Sequence, residues 1–262
     1  MAKITAEMVK ALRQQTGQGM MDCKKALEEA NGDIDAAIEI LRKKGMAAAQ
    51  RKAGRETKEG LVAVHREDGS AAMVEVVCET DFCARNDEFK TMVSKVAAVA
   101  AQAEKDGEIP ADEQIKNLVQ ECFNKIGENM RYSRGVKITA PIIGHYIHHT
   151  GKVGVLVGIE GEISPELLND LCMHIAFADP MAIKPEDIPQ DVIEYERNIA
   201  REQAEQSGKP PAVIDKIVEG KIKKFVASKA LLEQPFVRDE KKKVKEVLGN
   251  AKIVAFARFQ IG

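Results

Sequence analysis

The chain has no tryptophan, and aromatic residues fill only 4% of its 262 positions, so platforms on which nucleic-acid bases could stack are scarce. An excess of either charge is missing as well. The 39 basic and 41 acidic residues leave a formal net charge of -2, which supplies no long-range pull toward a phosphate backbone. The expected partner is therefore a protein surface rather than nucleic acid. No apolar run approaches the roughly 20 residues that a bilayer-spanning helix needs. Met1-Ala2-Lys3-Ile4-Thr5 leads straight into an amphipathic pattern, without the apolar stretch of a signal peptide. A soluble, cytoplasmic protein with no membrane contact is expected. Cysteine is sparse: Cys23, Cys78, Cys83, Cys122 and Cys172 form an odd, scattered set, which suits a reducing compartment and no structural disulfide.

Motifs of catalysis are missing too. There is no Gly-rich phosphate loop, no dinucleotide fingerprint, no His-Glu-x-x-His and no serine elbow; a missing motif does not by itself exclude an enzyme, but neither an enzyme nor a cofactor is the expected reading. Cys78 and Cys83, with His65 in the preceding strand, are the only nucleophile candidates, and a cysteine in an apolar strand reads first as core filling. His145, His148 and His149 are the best metal candidates. Their spacing puts His148 and His149 on opposite faces of a strand end with no carboxylate or thiol nearby, so they read as surface imidazoles and no metal site is expected.

What is present points to several modules, since 262 residues exceed the usual single-domain size of about 100 to 150. Residues 4 to 44 read as three short helices. Thr5 caps the first, whose apolar face is Met8, Val9 and Leu12; the second spans about Met21 to Ala30; Asp33 caps a third that carries Ile34, Ala37, Ile38 and Leu41. The Ala-rich, charged stretch from Gly45 to Glu59 reads as a linker with partial helical character. Two hairpin signals follow. Residues 61 to 78 turn at Glu67-Asp68-Gly69-Ser70 and precede helices at about 87 to 103 and 111 to 130; residues 142 to 160 turn at His149-Thr150-Gly151 and precede a helix from Ser164 to about Phe177. This recurrence suggests two similar strand-turn-strand-helix units. Two charged helices, Val192 to Glu205 and Ala212 to Leu231, are separated by Ser207-Gly208-Lys209-Pro210-Pro211. They read as a projecting antiparallel hairpin with a seam of Val192, Ile199, Ile214, Ile217, Val218 and Phe225. A short helix near 241 to 248 and a last strand, residues 253 to 259, should return to the second sheet.

The junction Cys78-Glu79-Thr80-Asp81-Phe82-Cys83-Ala84-Arg85-Asn86-Asp87 admits two local readings. In one, Asp81 makes an Asx turn and Phe82 tucks against the next helix as a staple. In the other, Phe82 is displayed at a loop tip for a partner.

Thr80-Asp81-Phe82 after a strand, the run from Leu12 to Leu27 (Leu-Arg-Gln-Gln-Thr-Gly-Gln-Gly-Met-Met-Asp-Cys-Lys-Lys-Ala-Leu) and the later Gln206-Ser207-Gly208-Lys209-Pro210 closely resemble the bacterial elongation factor Ts family, in the family's order along nearly the whole chain. The resemblance implies an α+β fold: a small three-helix ubiquitin-associated-like N-terminal domain with its linker (1–55), a core N-terminal subdomain (56–140), a core C-terminal subdomain in two parts (141–185 and 233–262), and an inserted antiparallel helical hairpin (186–232) linked to homodimer formation. It implies a guanine-nucleotide exchange factor that binds elongation factor Tu and promotes GDP release. The reading it displaces is a non-catalytic adaptor that binds proteins through the three-helix domain.

By position, the contact that dislocates the partner's Mg2+ falls on Thr80, Asp81, Phe82 and Cys83. Further partner contacts fall on Arg13, Met20, Met21 and His148, with His149 one register away. From the residues alone, Met20 and Met21 serve the small domain's core or a binding surface equally well. Cys83 departs from the family's usual Val. Members often carry a C-terminal helical module beyond the last strand, whereas this sequence stops at Ile261-Gly262, so contacts through that module are not expected.

Overall fold

The computed structural model describes residues 4–206 and 210–262. Helix α1 (Ala6–Thr16) opens where Thr5 Oγ1 accepts the Met8 N–H and closes on left-handed Gly17. Helices α2 (Met20–Glu29) and α3 (Ile34–Lys52) complete the N-terminal group, and Asp33 caps α3 by accepting the Ala36 N–H. Val9, Leu12, Cys23, Ala26, Leu27, Ala37 and Leu41 form its core. Ile34, expected inside, is 36% exposed. The stretch from Gly45, read as a linker with partial helical character, is helical as far as Lys52. Alanine is the strongest helix former, and α3 runs on through the Ala-rich stretch, with Ala48 and Ala49 packed on the neighbouring core.

Strands β1 (Glu59–Glu67) and β2 (Ser70–Cys78) form a hairpin whose turn holds Gly69 at φ 72. The one-turn helix α4 (Asp81–Arg85) and the longer α5 (Asp87–Ala101) follow. A short β3 (Gly107–Glu108), α6 (Glu113–Ile126) and β4 (Met130–Thr139) complete a four-stranded sheet in the order β1-β2-β4-β3.

Strand β4 is absent from the sequence reading, because its charged residues hide the alternation of a strand. Two of those charges find partners in the fold. The Arg134 guanidinium reaches Glu75 at 2.7 Å and lies 4.3 Å from the Phe259 ring centre, while Lys137 Nζ donates to the Ala103 carbonyl.

The second sheet is β5 (Ile142–Ile147), β6 (Val153–Glu160) and a final strand, β9 (Lys252–Gln260), antiparallel in that order, with α7 (Pro165–Ala178) after β6. Alternation along β2 explains how the layers stack. Ala72, Val74, Val76 and Cys78 face Phe89, Val93, Val96 and Ile115 of α5 and α6. Ala71, Met73 and Val77 face Leu156 and Phe259 of the second sheet. Gly158 permits the close approach of the sheets, since a Cβ there would stand 2.8 Å from both Ala140 Cβ and Ile138 Cγ2. On the outer side of the second sheet, Val155, Val157 and Ile159 pack with Leu171, Cys172 and Ile175 of α7.

Between α7 and β9 the chain makes α8 (Gln190–Glu205) and α9 (Pro211–Lys229), then β7 (Pro235–Phe236), β8 (Asp239–Lys243) and α10 (Val244–Leu248). The reversal read at Ser207-Gly208-Lys209 lies outside the described residues. The seam of α8 and α9 holds Ile193, Ala200, Ala204, Ile214, Ile217, Val218, Ile222 and Val226, one helical step away from the expected Val192, Ile199 and Phe225. Small alanines on α8 let the backbones approach, a signal weaker than bulky apolar residues. Arg197–Glu219 and Arg201–Asp215 pairs flank the seam. Residues 241 to 243, read as helix, instead finish β8. Among the described residues no helix is long and apolar enough to cross a membrane.

Candidate functional site

Strand β2 is buried along its whole length, yet four residues beyond its end the chain places Phe82 at 80% exposure. The turn between them explains the contrast. Thr80 Oγ1 accepts the Cys83 N–H at 3.1 Å and caps α4. Cys83 and Ala84 point into the core, at 2% and 6% exposure, which leaves Phe82 facing outward. Asn86 Oδ1 then accepts the Glu88 N–H and starts α5. The staple reading is therefore wrong for Phe82, and so is the Asx turn for Asp81. Thr80 does the capping, while Asp81 stands in the first turn, where negative charge suits the helix dipole, and pairs with Arg85 at 3.2 Å.

The junction is bracketed by the turn between α6 and β4, which the sequence reading did not single out. Glu128 accepts from Thr80, and Glu79 accepts the Asn129 N–H at 2.6 Å. The hydrogen bond from Asn129, reinforced by Arg55, holds the Glu79 carboxyl below its ordinary pKa against the opposing effect of burial. Partners about 50 residues apart leave no local signal in the chain. No nucleophile stands here: a hydrogen bond with Cys78 and then burial push the Cys83 thiol pKa well up, and all five cysteines are free and buried.

The His148 and His149 rings lie with centres 4.2 Å apart and planes tilted by 55°, but they line different hollows. His148, half-buried, accepts or donates to the Tyr146 hydroxyl at 3.0 Å and lines a groove of about 430 Å³ with Met173 and Phe177. His149 lines a cleft of about 930 Å³ together with Asp81, Arg85, Lys90 and Lys152. The Val62 N–H donates to the Gly151 carbonyl, tying this turn to β1. The structure thus brings His149, rather than His148, to the cleft beside Asp81. Among the described residues no three His, Cys, Asp or Glu side chains are grouped to hold a metal ion.

Arg13, Met20 and Met21 come together in a groove of about 570 Å³ between α1 and α2, with Ile4, Val9, Lys10 and Lys24 around them. Met20 and Met21 are 58% and 62% exposed, so the core reading of this pair does not hold. The groove has an apolar floor and a basic rim. Three features facing solvent therefore recur at separate places: an aromatic tip, a histidine turn and a methionine groove.

The profile of the family described as "Elongation factor TS" matches residues 79–262. Elongation factor Ts of Aquifex aeolicus is 45% identical over 99% of this chain and 98% of its own length. The protein of the same name from a Hydrogenobaculum species is 44% identical over 99% of both chains. That of Paramagnetospirillum magneticum is 43% identical over the whole of this chain and 92% of its own.

Proposed function

The chain belongs to the elongation factor Ts family, and we propose that Phe82, at the tip of α4, is the wedge that triggers its exchange activity. The protein is a nucleotide exchange factor for elongation factor Tu in translation elongation. Such a factor need not touch the guanine. It must bind the empty GTPase more tightly than the GDP-bound form, and linkage then makes it weaken GDP binding by the same factor.

The observation that carries the wedge is an aromatic ring at 80% exposure on a turn whose neighbours, Cys83 and Ala84, are anchored in the core. Inserted between helices of the partner's nucleotide domain, the ring displaces the elements that hold Mg2+ and the phosphates. Asp81 directs the turn, Thr80 caps it, and Cys83 acts from inside as an anchor. Burying one Phe yields roughly 1.5 to 3 kcal/mol, about a tenfold to hundredfold bias. The remaining affinity is assigned to the groove of Arg13, Met20 and Met21 and to the His148–His149 turn. The test is stopped-flow release of a fluorescent GDP from elongation factor Tu: Phe82→Ala should lower the maximal release rate about tenfold or more, and an unchanged rate rejects the wedge. A pure adaptor would leave the GDP off-rate at its spontaneous value.

The division expected from the resemblance remains the proposed one, with the three-helix unit (1–55) as a ubiquitin-associated-like module and residues 186–232 as an insertion in the second core subdomain. The path of α3 supports a firm rather than a loose connection, since Lys52 Nζ donates to the Gly127 carbonyl and lies 5.8 Å from the Phe123 ring centre. Self-association through α8 and α9 is likewise a proposal. Their own seam is filled within one chain, so a second copy would use outward residues such as Tyr195, 66% exposed. Sedimentation velocity over a range of concentrations tests it.

A further inference from the structure

A helix of one turn has little stability of its own, because nucleation fixes several residues for one hydrogen bond. Phe82 adds no packing, being exposed. Cys83 and Ala84 anchor the turn on its core side, and the contacts of Thr80 show what holds its N-terminal end. The Glu128 carboxylate accepts the Thr80 backbone N–H at 3.2 Å through Oε2, and the Thr80 hydroxyl lies 2.9 Å from Oε1 and 3.0 Å from Oε2. A hydroxyl has one proton. With it committed to Glu128, the lone pairs of Thr80 Oγ1 are left to accept the Cys83 N–H.

The turn that carries Glu128 is itself held. On the same turn, Asn129 donates its N–H to Glu79 and its side-chain amide to the Arg55 carbonyl at 2.8 Å. Two adjacent residues of one loop thus exchange hydrogen bonds with two adjacent residues of the other. Hydrogen bonds to a charged group are worth more than neutral ones, so the two carboxylates, Glu79 and Glu128, are the strong members of this bracket, and Glu128 is the one that reaches the Thr80 cap.

We infer that Glu128 is a positioning residue for exchange: acting through Thr80, it locks the cap that makes α4 present Phe82 to the GTPase. Its effect on GDP release rests on the reading of Phe82 as the wedge; its effect on the turn does not.

The test uses the full chain carrying Glu128→Ala, Glu128→Gln, Phe82→Ala, or Glu128→Ala with Phe82→Ala. Amide hydrogen exchange reads the turn directly. In Glu128→Ala the Thr80 and Cys83 amides should exchange about tenfold faster or more while the interior of β2 is unchanged. Glu128→Gln, which keeps one accepting oxygen and nearly the same shape, should fall between and serves if the alanine variant folds poorly. Unchanged protection at both amides overturns the inference whatever GDP release does.

Stopped-flow release then separates positioning from general support. Glu128→Ala should lower the plateau rate about tenfold and move the half-saturating concentration by less than about twofold. In the Phe82→Ala background it should have no further effect, and an equal loss in both backgrounds overturns it. If Phe82→Ala alone releases GDP at the full rate, the wedge reading fails, and amide exchange still decides whether Glu128 holds the turn.

Discussion

Replacing Met20 and Met21 together by alanine should separate gripping from triggering. Complete burial of a Met side chain contributes roughly 1.5 to 3 kcal/mol, and here 58% and 62% of the two residues remain for a partner to cover. If the partner covers both, the pair supplies about 2 to 3.5 kcal/mol, about a thirtyfold to three-hundredfold change in Kd. On the proposed reading the groove grips the partner in every nucleotide state, so the loss should appear as uniform binding. In stopped-flow release at increasing exchange factor, the half-saturating concentration should rise by that factor while the plateau rate stays within about twofold. The thermal midpoint should hardly move, because exposed substitutions cost within about 0.5 kcal/mol. An unchanged half-saturating concentration would remove the groove from the interface. A fall in midpoint of more than about 4 °C would mean that the pair belongs to the core after all.

Two further outcomes follow from burial. Phe89, fully buried between α5 and the first sheet, should cost about 3 to 5 kcal/mol as Phe89→Ala in chemical denaturation, whereas Phe82→Ala should leave stability unchanged. A loss at Phe82 comparable to that at Phe89 would refute its outward placement. His174 is 1% exposed, with Nε2 at 2.9 Å from Gln234 Oε1 and Nδ1 at 3.3 Å from the Val237 N–H. Gln234 uses its amide nitrogen on the Ala178 and Ser228 carbonyls, so the proton of the neutral ring sits on Nε2 and protonation of Nδ1 would break the Val237 bond. Burial holds the His174 pKa below the usual 6.5 despite the Gln234 contact. The unfolded chain therefore takes up its proton first as pH falls. Stability contributed by neutral His174 is complete above about pH 6.5 and is lost progressively below it. Denaturation midpoints at about pH 7.5 and about pH 5.5 should differ less in His174→Gln than in the unaltered chain, and an equal difference would refute the assignment.

Where side-chain pattern and cap agree, the chain could be read directly: Thr5, Asp33 and Ser164 each accept a backbone N–H at the start of the helix they were expected to open. β4 escaped because ion pairing and stacking, not apolar alternation, satisfy Arg134. The extent of α3 was only partly legible, since the Ala-rich stretch from Gly45 reads as a linker with partial helical character, and contact with Asn124 of α6 shows why a small residue is needed inside that helix. At the tip, sequence patterns supplied Thr80, Asp81 and Phe82 but left two local geometries open. The choice between them depends on Glu128 and Asn129, which reach the junction through the fold. The two histidines show the same limit at finer scale. Neighbours in sequence, they line separate hollows because one lies along the groove beside Phe177 and the other along the cleft beside Asp81.

A wedge works only if its backing is stiffer than what it displaces. Had Phe82 stood on a long free loop, contact with the GTPase would reorder the loop, and the free energy from other contacts would be spent there instead of on the partner's nucleotide site. β2 removes that outlet. It is hydrogen-bonded on one edge to β1 and on the other to β4, and covered on one face by α5 and α6 and on the other by the second sheet. Thr80 lies two residues past the end of this strand and is fastened to Glu128, so only three residues separate a strand supported on both edges and both faces from the displayed ring. The same sheet carries β1, whose Val62 N–H is bonded to the turn beside His149. On the proposed reading, binding free energy gained around that turn is transmitted through a packed sheet to Phe82, and the expected outcome is that the GTPase's element yields rather than the backing of the ring.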